Sequence, residues 1–208
     1  MPIANKKNSE VFGKTKICCA VVIVFLVVMG MCSCSKRQVI VPRLTPEPTN
    51  MHLVGKFVWF DLFTNDLQTA SHFYEELFGW SFHPAESGRK IVDTITREGI
   101  PIANAIQINR KKNKVRKSRW LSYVSVKDVD RSAKFVEQHN GTIYRRPKEL
   151  PNRGRVAVVK DPQGAVFAML TVSGGDPPDE GMMQNFWMGS ELWTSHMESA
   201  LNFYHLLV

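Results

Sequence analysis

The chain contains 208 residues, of which 44% are hydrophobic, and it carries a formal net charge of +8. The excess positive charge is confined to the segment Met1–Cys34 and to the run RKKNKVRKSR at 110–119. The remaining sequence is close to neutral, which excludes a general affinity for nucleic acid. All cysteines lie at or before Cys34, so the sequence that follows can form neither a disulfide nor a cysteine zinc site.

The N-terminal segment up to Cys34 has the composition of a secretion signal. Lysines precede the apolar run ICCAVVIVFLVVMGM at 17–31, which is shorter than the ~20 residues that span a bilayer. Ser33 then precedes Cys34, and the pattern resembles a bacterial lipoprotein signal in which Cys34 becomes the lipidated first residue. We predict a signal peptide and lipid anchor over 1–34, which makes a membrane the partner of this segment. The predicted location is the cell envelope, at the outer membrane in bacteria that have both an inner and an outer membrane. An uncleaved signal anchor is the alternative.

Residues 35–52 follow the predicted anchor and contain Pro42, Pro46 and Pro48. Prolines favour extended backbone and oppose helix formation. This composition predicts an extended tether between the anchor and a folded domain.

The sequence after Met51 begins with one strand and one helix. KFVWFDLF has the composition of a strand, and Asp66 is a helix-capping residue. Apolar residues then recur on one helical face from Leu67 to Phe78, and Gly79 predicts the end of the helix. Three strand-like stretches follow, WSFHP, KIVDTIT and IPIANAIQI, so the predicted order is βαβββ.

The same pattern returns further along the chain at one constant offset, where Asp128 corresponds to Asp66 and Phe135 to Phe73. Agreement of the cap and of the apolar helix face at a single offset indicates an internal repeat. Residues 53–173 are therefore predicted to form one domain of two βαβββ modules.

A third copy begins after a linker, and in it Phe203 corresponds to Phe73 and Tyr204 to Tyr74. The linker, 174–185, is rich in glycine and proline, and residues 186–208 repeat the opening of the domain. We predict one strand and one helix there, as the truncated start of a second such domain. The alternative is a C-terminal hairpin that swaps into a partner molecule.

Two motifs make the domain similar to a known family. The first module contains T-x-D-L-x-x-A-x-x-F-Y-x-x-L-F-G-W from Thr64 to Trp80, and Asp161-Pro162-Gln163-Gly164 precedes the predicted last strand. These features resemble the vicinal oxygen chelate superfamily, which includes glyoxalase I, extradiol dioxygenases and bleomycin-resistance proteins. The resemblance implies an α+β fold in which paired βαβββ modules form a curled mixed sheet, a cup with the helices on its convex face. It says little about function, because this scaffold supports many chemistries.

The resemblance also implies where a metal would bind. Enzymes of the superfamily place metal ligands on the first and last strand of each module, and these positions correspond to Trp59, a position within Ala103 to Ala105, Leu121 and Ala168. Only Asn104 has a donor atom, and one neutral amide does not hold a divalent metal. We therefore expect no metal and no other cofactor, and we favour a protein that is not an enzyme.

Alternation along the strands predicts what lines the cup. The ligand-site candidates are Trp59, Asp61, Phe63, Asn104, Leu121, Tyr123, Ser125 and Ala168. Asp61 is expected either to bind a cationic or hydroxylated ligand or act as a base, or to be a structural carboxylate paired with a nearby arginine or with backbone amides.

The predicted function is a membrane-anchored, metal-free domain that binds a small molecule in its cup. One alternative is a metal-dependent lyase or dioxygenase that uses a displaced site or a second domain. The other is a structural envelope protein that forms a homodimer.

Overall fold

The computed structural model describes residues 41–85, 92–108, 118–179, 181 and 183–208. The predicted signal peptide and anchor over 1–34, including Cys34, and the first part of the predicted tether lie outside the described residues. No helix among the described residues combines the length and the apolar character needed to cross a membrane.

The described domain contains two successive βαβββ modules and one further helix. The first module comprises β1 (Phe57–Thr64), α1 (Leu67–Phe78), β2 (Ser81–Pro84), β3 (Val92–Arg97) and β4 (Ile100–Gln107). The second comprises β5 (Arg119–Ser125), α2 (Val129–Gln138), β6 (Thr142–Leu150), β7 (Gly154–Lys160) and β8 (Val166–Val172). Helix α3 (Met197–Leu207) follows them.

Both module helices begin at the predicted capping residues. The Asp66 side chain accepts a hydrogen bond from the backbone N–H of Thr69 at 3.0 Å, and Asp128 caps α2 in the same way. Gly79 ends α1 in the left-handed conformation, with φ of 65°. Near the end of α2 it is Asn140 that adopts this conformation, with φ of 63°.

All eight strands form one mixed sheet in the order β2-β3-β4-β1-β5-β8-β7-β6. Within each module the first strand pairs in parallel with the last, β1 with β4 and β5 with β8. The modules join through the antiparallel pair β1–β5, in which Trp59 lies opposite Tyr123 and Asp61 opposite Leu121. The predicted pair of βαβββ modules is confirmed.

The two faces of the curled, unclosed sheet are buried in different ways. On the convex face, α1 packs over β1 and β4, and α2 packs over β5, β7 and β8. The concave face carries a separate apolar cluster made of Leu44, Trp59, Leu121, Tyr123, Val156, Ala168, Leu170 and Val172. This arrangement confirms the predicted α+β class, with a curled sheet and helices on the convex side.

The third copy is only partly as predicted. Helix α3 forms and buries Phe203 and Leu207 against the convex cluster of the second module. The prediction of a strand before it is wrong, because residues 187–196 contain no strand. A strand needs a neighbour for its backbone hydrogen bonds, and no described strand pairs with this stretch. Trp187 instead stacks on Phe60, with ring centroids 4.0 Å apart.

Candidate functional site on the concave face

Four of the predicted site residues meet on the concave face. Strand alternation directs Trp59 and Asp61 to this face, and sheet register places Asn104 beside Asp61 and Tyr123 beside Trp59. The side chains of Trp59, Asn104 and Tyr123 all donate hydrogen bonds to the Asp61 carboxylate. These four residues are therefore neighbours in the structure.

The Asp61 carboxylate is at the centre of this group and is only 1% exposed. Its Oδ1 accepts hydrogen bonds from Trp59 Nε1 and Asn104 Nδ2, both at 3.1 Å. Its Oδ2 accepts from the Tyr123 hydroxyl at 2.5 Å and from Arg153 Nη1 at 3.1 Å. Of the two expectations for Asp61, the structure therefore has the carboxylate paired with an arginine.

Arg153 was not among the sequence-predicted site residues, although it is also 1% exposed. It lies in the turn between β6 and β7, which Gly154 shapes with φ of 111°. A Cβ atom at Gly154 would collide with the carbonyl oxygen of Thr171, so this turn requires glycine. The Arg153 guanidinium lies 5.9 Å from the centroid of the Trp59 ring and 5.7 Å from that of Tyr123.

The electrostatic environment keeps Tyr123 protonated. Burial, together with the negative charge of Asp61, raises the pKa of Tyr123 well above its ordinary value. The phenol therefore remains a hydrogen-bond donor to Asp61 throughout the neutral pH range. It does not supply a phenolate base under those conditions.

Three polar atoms of the site have no hydrogen-bond partner among the described residues. They are Nε and Nη2 of Arg153 and Oδ1 of Asn104, and all three are buried. A buried polar atom without a partner costs about 1–3 kcal/mol. The site therefore offers two donors and one acceptor to a bound molecule.

The remaining candidates are distributed around this group. Leu121 and Ala168 belong to the apolar cluster of the concave face, and Phe63 packs against its edge. Ser125 does not belong to the group around Asp61. Its hydroxyl donates a hydrogen bond to Asp176 Oδ2 at 2.6 Å. The structure thus brings Leu121, Ala168 and Phe63 to the cup wall but separates Ser125 from Asp61.

The segment before β1 covers part of the concave face. Leu44 is 2% exposed and packs in the same cluster as Trp59 and Tyr123. The described part of the predicted tether therefore packs on the domain, which its proline content alone did not predict. A cavity of about 510 Å³ adjoins Leu44 and Trp59, between residues 44–49, the starts of β1 and β4, and the segment around Trp187.

The buried residue Asp176 fastens this segment to the sheet. Its Oδ2 accepts hydrogen bonds from the Leu53 N–H at 2.7 Å and from Ser125 Oγ. Its backbone accepts from Thr49 Oγ1 at 2.6 Å and donates to the Met51 carbonyl at 2.7 Å. Residues 49–53 are thereby held in place independently of the Leu44 contact.

The donor set of the site does not fit a divalent metal. No group of three or more His, Cys, Asp or Glu side chains in the described part of the chain could hold one. Both Asp61 oxygens already accept two hydrogen bonds each, and Asn104 adds only a neutral oxygen. Sites for such metals combine several anionic or imidazole ligands.

Comparison with known proteins shows which protein family the chain belongs to. Residues 56–169 match the family model of the Glyoxalase/Bleomycin resistance protein/Dioxygenase superfamily. This match covers more than half of the chain, and the chain belongs to that superfamily. The family expected from the two motifs is thus confirmed.

The similarity to individual curated proteins is moderate. The chain is similar to the anthracycline biosynthesis protein DauV of Streptomyces sp. strain C5, with 29% identity over 128 residues, 55% of this chain and 46% of DauV. The same figures hold for the anthracycline biosynthesis protein DnrV of Streptomyces peucetius. The chain spans about half the length of these curated relatives.

Among solved structures, the Mn(II)-bound glyoxalase from Novosphingobium aromaticivorans is similar in fold. The TM-score is 0.52 at 14% identity, covering 74% of this chain and 52% of that one. At this identity the similarity concerns the fold alone.

Proposed function

We propose that this protein binds a small organic molecule on the concave face of its sheet, without a metal. The observation that carries the proposal is the buried polar group centred on Asp61, enclosed by aromatic and aliphatic walls. Ligand sites typically combine apolar walls with a few convergent polar groups. The adjoining cavity of about 510 Å³, which Trp59 lines but Asp61, Asn104, Tyr123 and Arg153 do not, lies within the range of about 300–1,000 Å³ that is usual for ligand sites.

The absence of a metal requirement is supported by the side chains at the superfamily's ligand positions. Trp59, Leu121 and Ala168 have no atom suited to a divalent metal, and the Asn104 amide already donates to Asp61. The names of the Streptomyces relatives concern the biosynthesis of a small molecule, which agrees with a small-molecule ligand.

Binding is best tested on the full chain in detergent, in buffer with EDTA, by titration with mandelamide, benzyl alcohol and mandelate. We expect at least one probe to bind with a Kd of about 1 mM or lower, equivalent to about −4 kcal/mol. Trp59→Phe should weaken that binding, because Trp59 lines the site. Trp193→Phe, which alters an exposed tryptophan that belongs neither to the concave cluster nor to the cavity lining, should leave it unchanged.

Two results would contradict this function. The first is the lack of saturable binding in a chain that melts cooperatively. The second is stoichiometric metal whose removal abolishes binding, which would favour the alternative of a metal-dependent lyase or dioxygenase. That alternative needs metal ligands other than the side chains of the concave face.

Membrane anchoring is the second part of the proposal and is supported by the sequence of residues 1–34. Labelling of cells with a fatty-acid analogue should modify the parent chain, and Cys34→Ser should abolish the label. Cys32→Ser is the matched control and should retain it. A label that survives Cys34→Ser would refute lipidation at this residue.

A further inference from the structure

The Arg153 guanidinium has one engaged and one free edge. Nη1 forms the ion pair with Asp61 at 3.1 Å. Nε and Nη2, which lie together on the other edge, have no hydrogen-bond partner among the described residues. Since the side chain is 1% exposed, bulk water does not compensate these two donors.

A second arginine of this chain shows what the same edge binds. Arg155 donates from Nε to Asp130 Oδ2 and from Nη2 to Asp130 Oδ1, both at 2.8 Å. This parallel pair of bonds is the common bidentate geometry between a guanidinium and a carboxylate. The free edge of Arg153 is therefore suited to a planar carboxylate.

Asn104 supplies the complementary acceptor. Its Nδ2 must face Asp61, because an ionised carboxylate only accepts hydrogen bonds. Its Oδ1 is then directed elsewhere and has no partner among the described residues. Because Asp61 binds both Asn104 and Arg153, the free acceptor and the free donors lie on either side of one carboxylate.

We propose that the ligand of this site is a small hydroxycarboxylic acid with an apolar or aromatic substituent. Its carboxylate binds Nε and Nη2 of Arg153, and its hydroxyl donates to Asn104 Oδ1. Its apolar part packs against Trp59, towards the adjoining cavity. This assignment rests on the proposed binding function and specifies its ligand class.

Entry of such a ligand requires Leu44 to move. Leu44 belongs to the same buried cluster as the aromatic pair that flanks Arg153, whereas residues 49–53 are held separately by Asp176. Withdrawal of Leu44 therefore does not require the Asp176 contacts to break.

The test compares three probes on the full chain in detergent, by calorimetric titration. Mandelate has both the carboxylate and the hydroxyl, phenylacetate lacks the hydroxyl, and mandelamide lacks the charge. We expect mandelate to bind at least tenfold more tightly than either of the others, since charge-assisted bidentate bonds are strong.

Single substitutions then identify the residue that binds the ligand carboxylate. Arg153→Lys keeps a positive charge for Asp61 but removes the Nε and Nη2 edge. The variant should bind mandelate at least tenfold more weakly, with little change in the affinity for mandelamide. Arg155→Lys, the same exchange two residues along the chain, should leave mandelate binding unchanged. A melting curve for each variant separates loss of recognition from loss of folding.

The comparison of probes on the parent chain is decisive even if Arg153→Lys does not fold. Equal binding of mandelate, phenylacetate and mandelamide would refute the ligand class while leaving the proposed small-molecule function standing. Equal weakening by Arg153→Lys and Arg155→Lys would also refute it. Failure of every probe to bind a cooperatively folded chain would contradict both the ligand class and the function.

Discussion

Breaking the buried ion pair should cost far more stability than breaking the exposed one two residues away. Arg153→Met removes the cation from Asp61, whose carboxylate is 1% exposed. Loss of one partner of a buried pair typically costs about 3–5 kcal/mol. Because three neutral donors, from Trp59, Asn104 and Tyr123, still bind Asp61, we expect a loss near the lower end of that range.

The expected magnitude is measurable in the full chain by urea unfolding or thermal melting in detergent. A loss of about 3 kcal/mol corresponds to a decrease of about 6–12 °C in Tm for a chain of this size. Arg155→Met is the matched control, since the Arg155–Asp130 side chains are 38% and 51% exposed, and it should have a much smaller effect.

The double variant Asp61→Asn/Arg153→Met isolates the interaction. It should lose less stability than the two single variants together, because neither charge is then buried alone. Equal effects of Arg153→Met and Arg155→Met, or additive losses in the double variant, would refute the buried pair as described.

Three further predictions concern stability. Leu44→Ala should lower the free energy of unfolding by about 2 kcal/mol, the low end for a buried leucine, because its segment can partly collapse; no change in urea unfolding would show that Leu44 is not packed on the sheet. Gly154→Ala should lower Tm, because φ is 111° and the Cβ meets the Thr171 carbonyl, whereas Gly99→Ala, also at positive φ but with open space around it, should cost less. Finally, stability should fall as pH rises above about 10, where an unfolded tyrosine ionises but the raised pKa of Tyr123 keeps the folded one protonated. Below that pH this contribution is fully present, and Tyr123→Phe should reduce the alkaline loss; an unchanged pH profile would contradict the raised pKa.

The topology could be predicted from sequence because it depends on local signals repeated at a fixed interval. Asp66 and Asp128 cap their helices in the same way, and alternation on β1 directs Trp59 and Asp61 to one face. Pairing of the two first strands then places Tyr123 beside Asp61. Each step uses either neighbouring residues or the symmetry between modules.

The remaining features depend on contacts between distant parts of the chain. Arg153 and Asp61 are separated by 92 residues. The sequence contained two weak signals for their contact, because a buried Asp61 needs a cation and Arg153 lies in a PNRG turn. Leu44 lies in a proline-containing segment whose composition predicts extended backbone but not the surface that it covers. The strand expected before α3 failed for a related reason, since repeat similarity predicts a strand but supplies no neighbour for it.

The central claim is that the concave face binds a small organic molecule without a metal. The most direct measurement is a calorimetric titration of mandelate into the full chain, once after treatment with EDTA and once after addition of Mn²⁺. We predict the same Kd in both titrations and a weaker Kd for Trp59→Phe. Binding that occurs only in the presence of Mn²⁺ would contradict it.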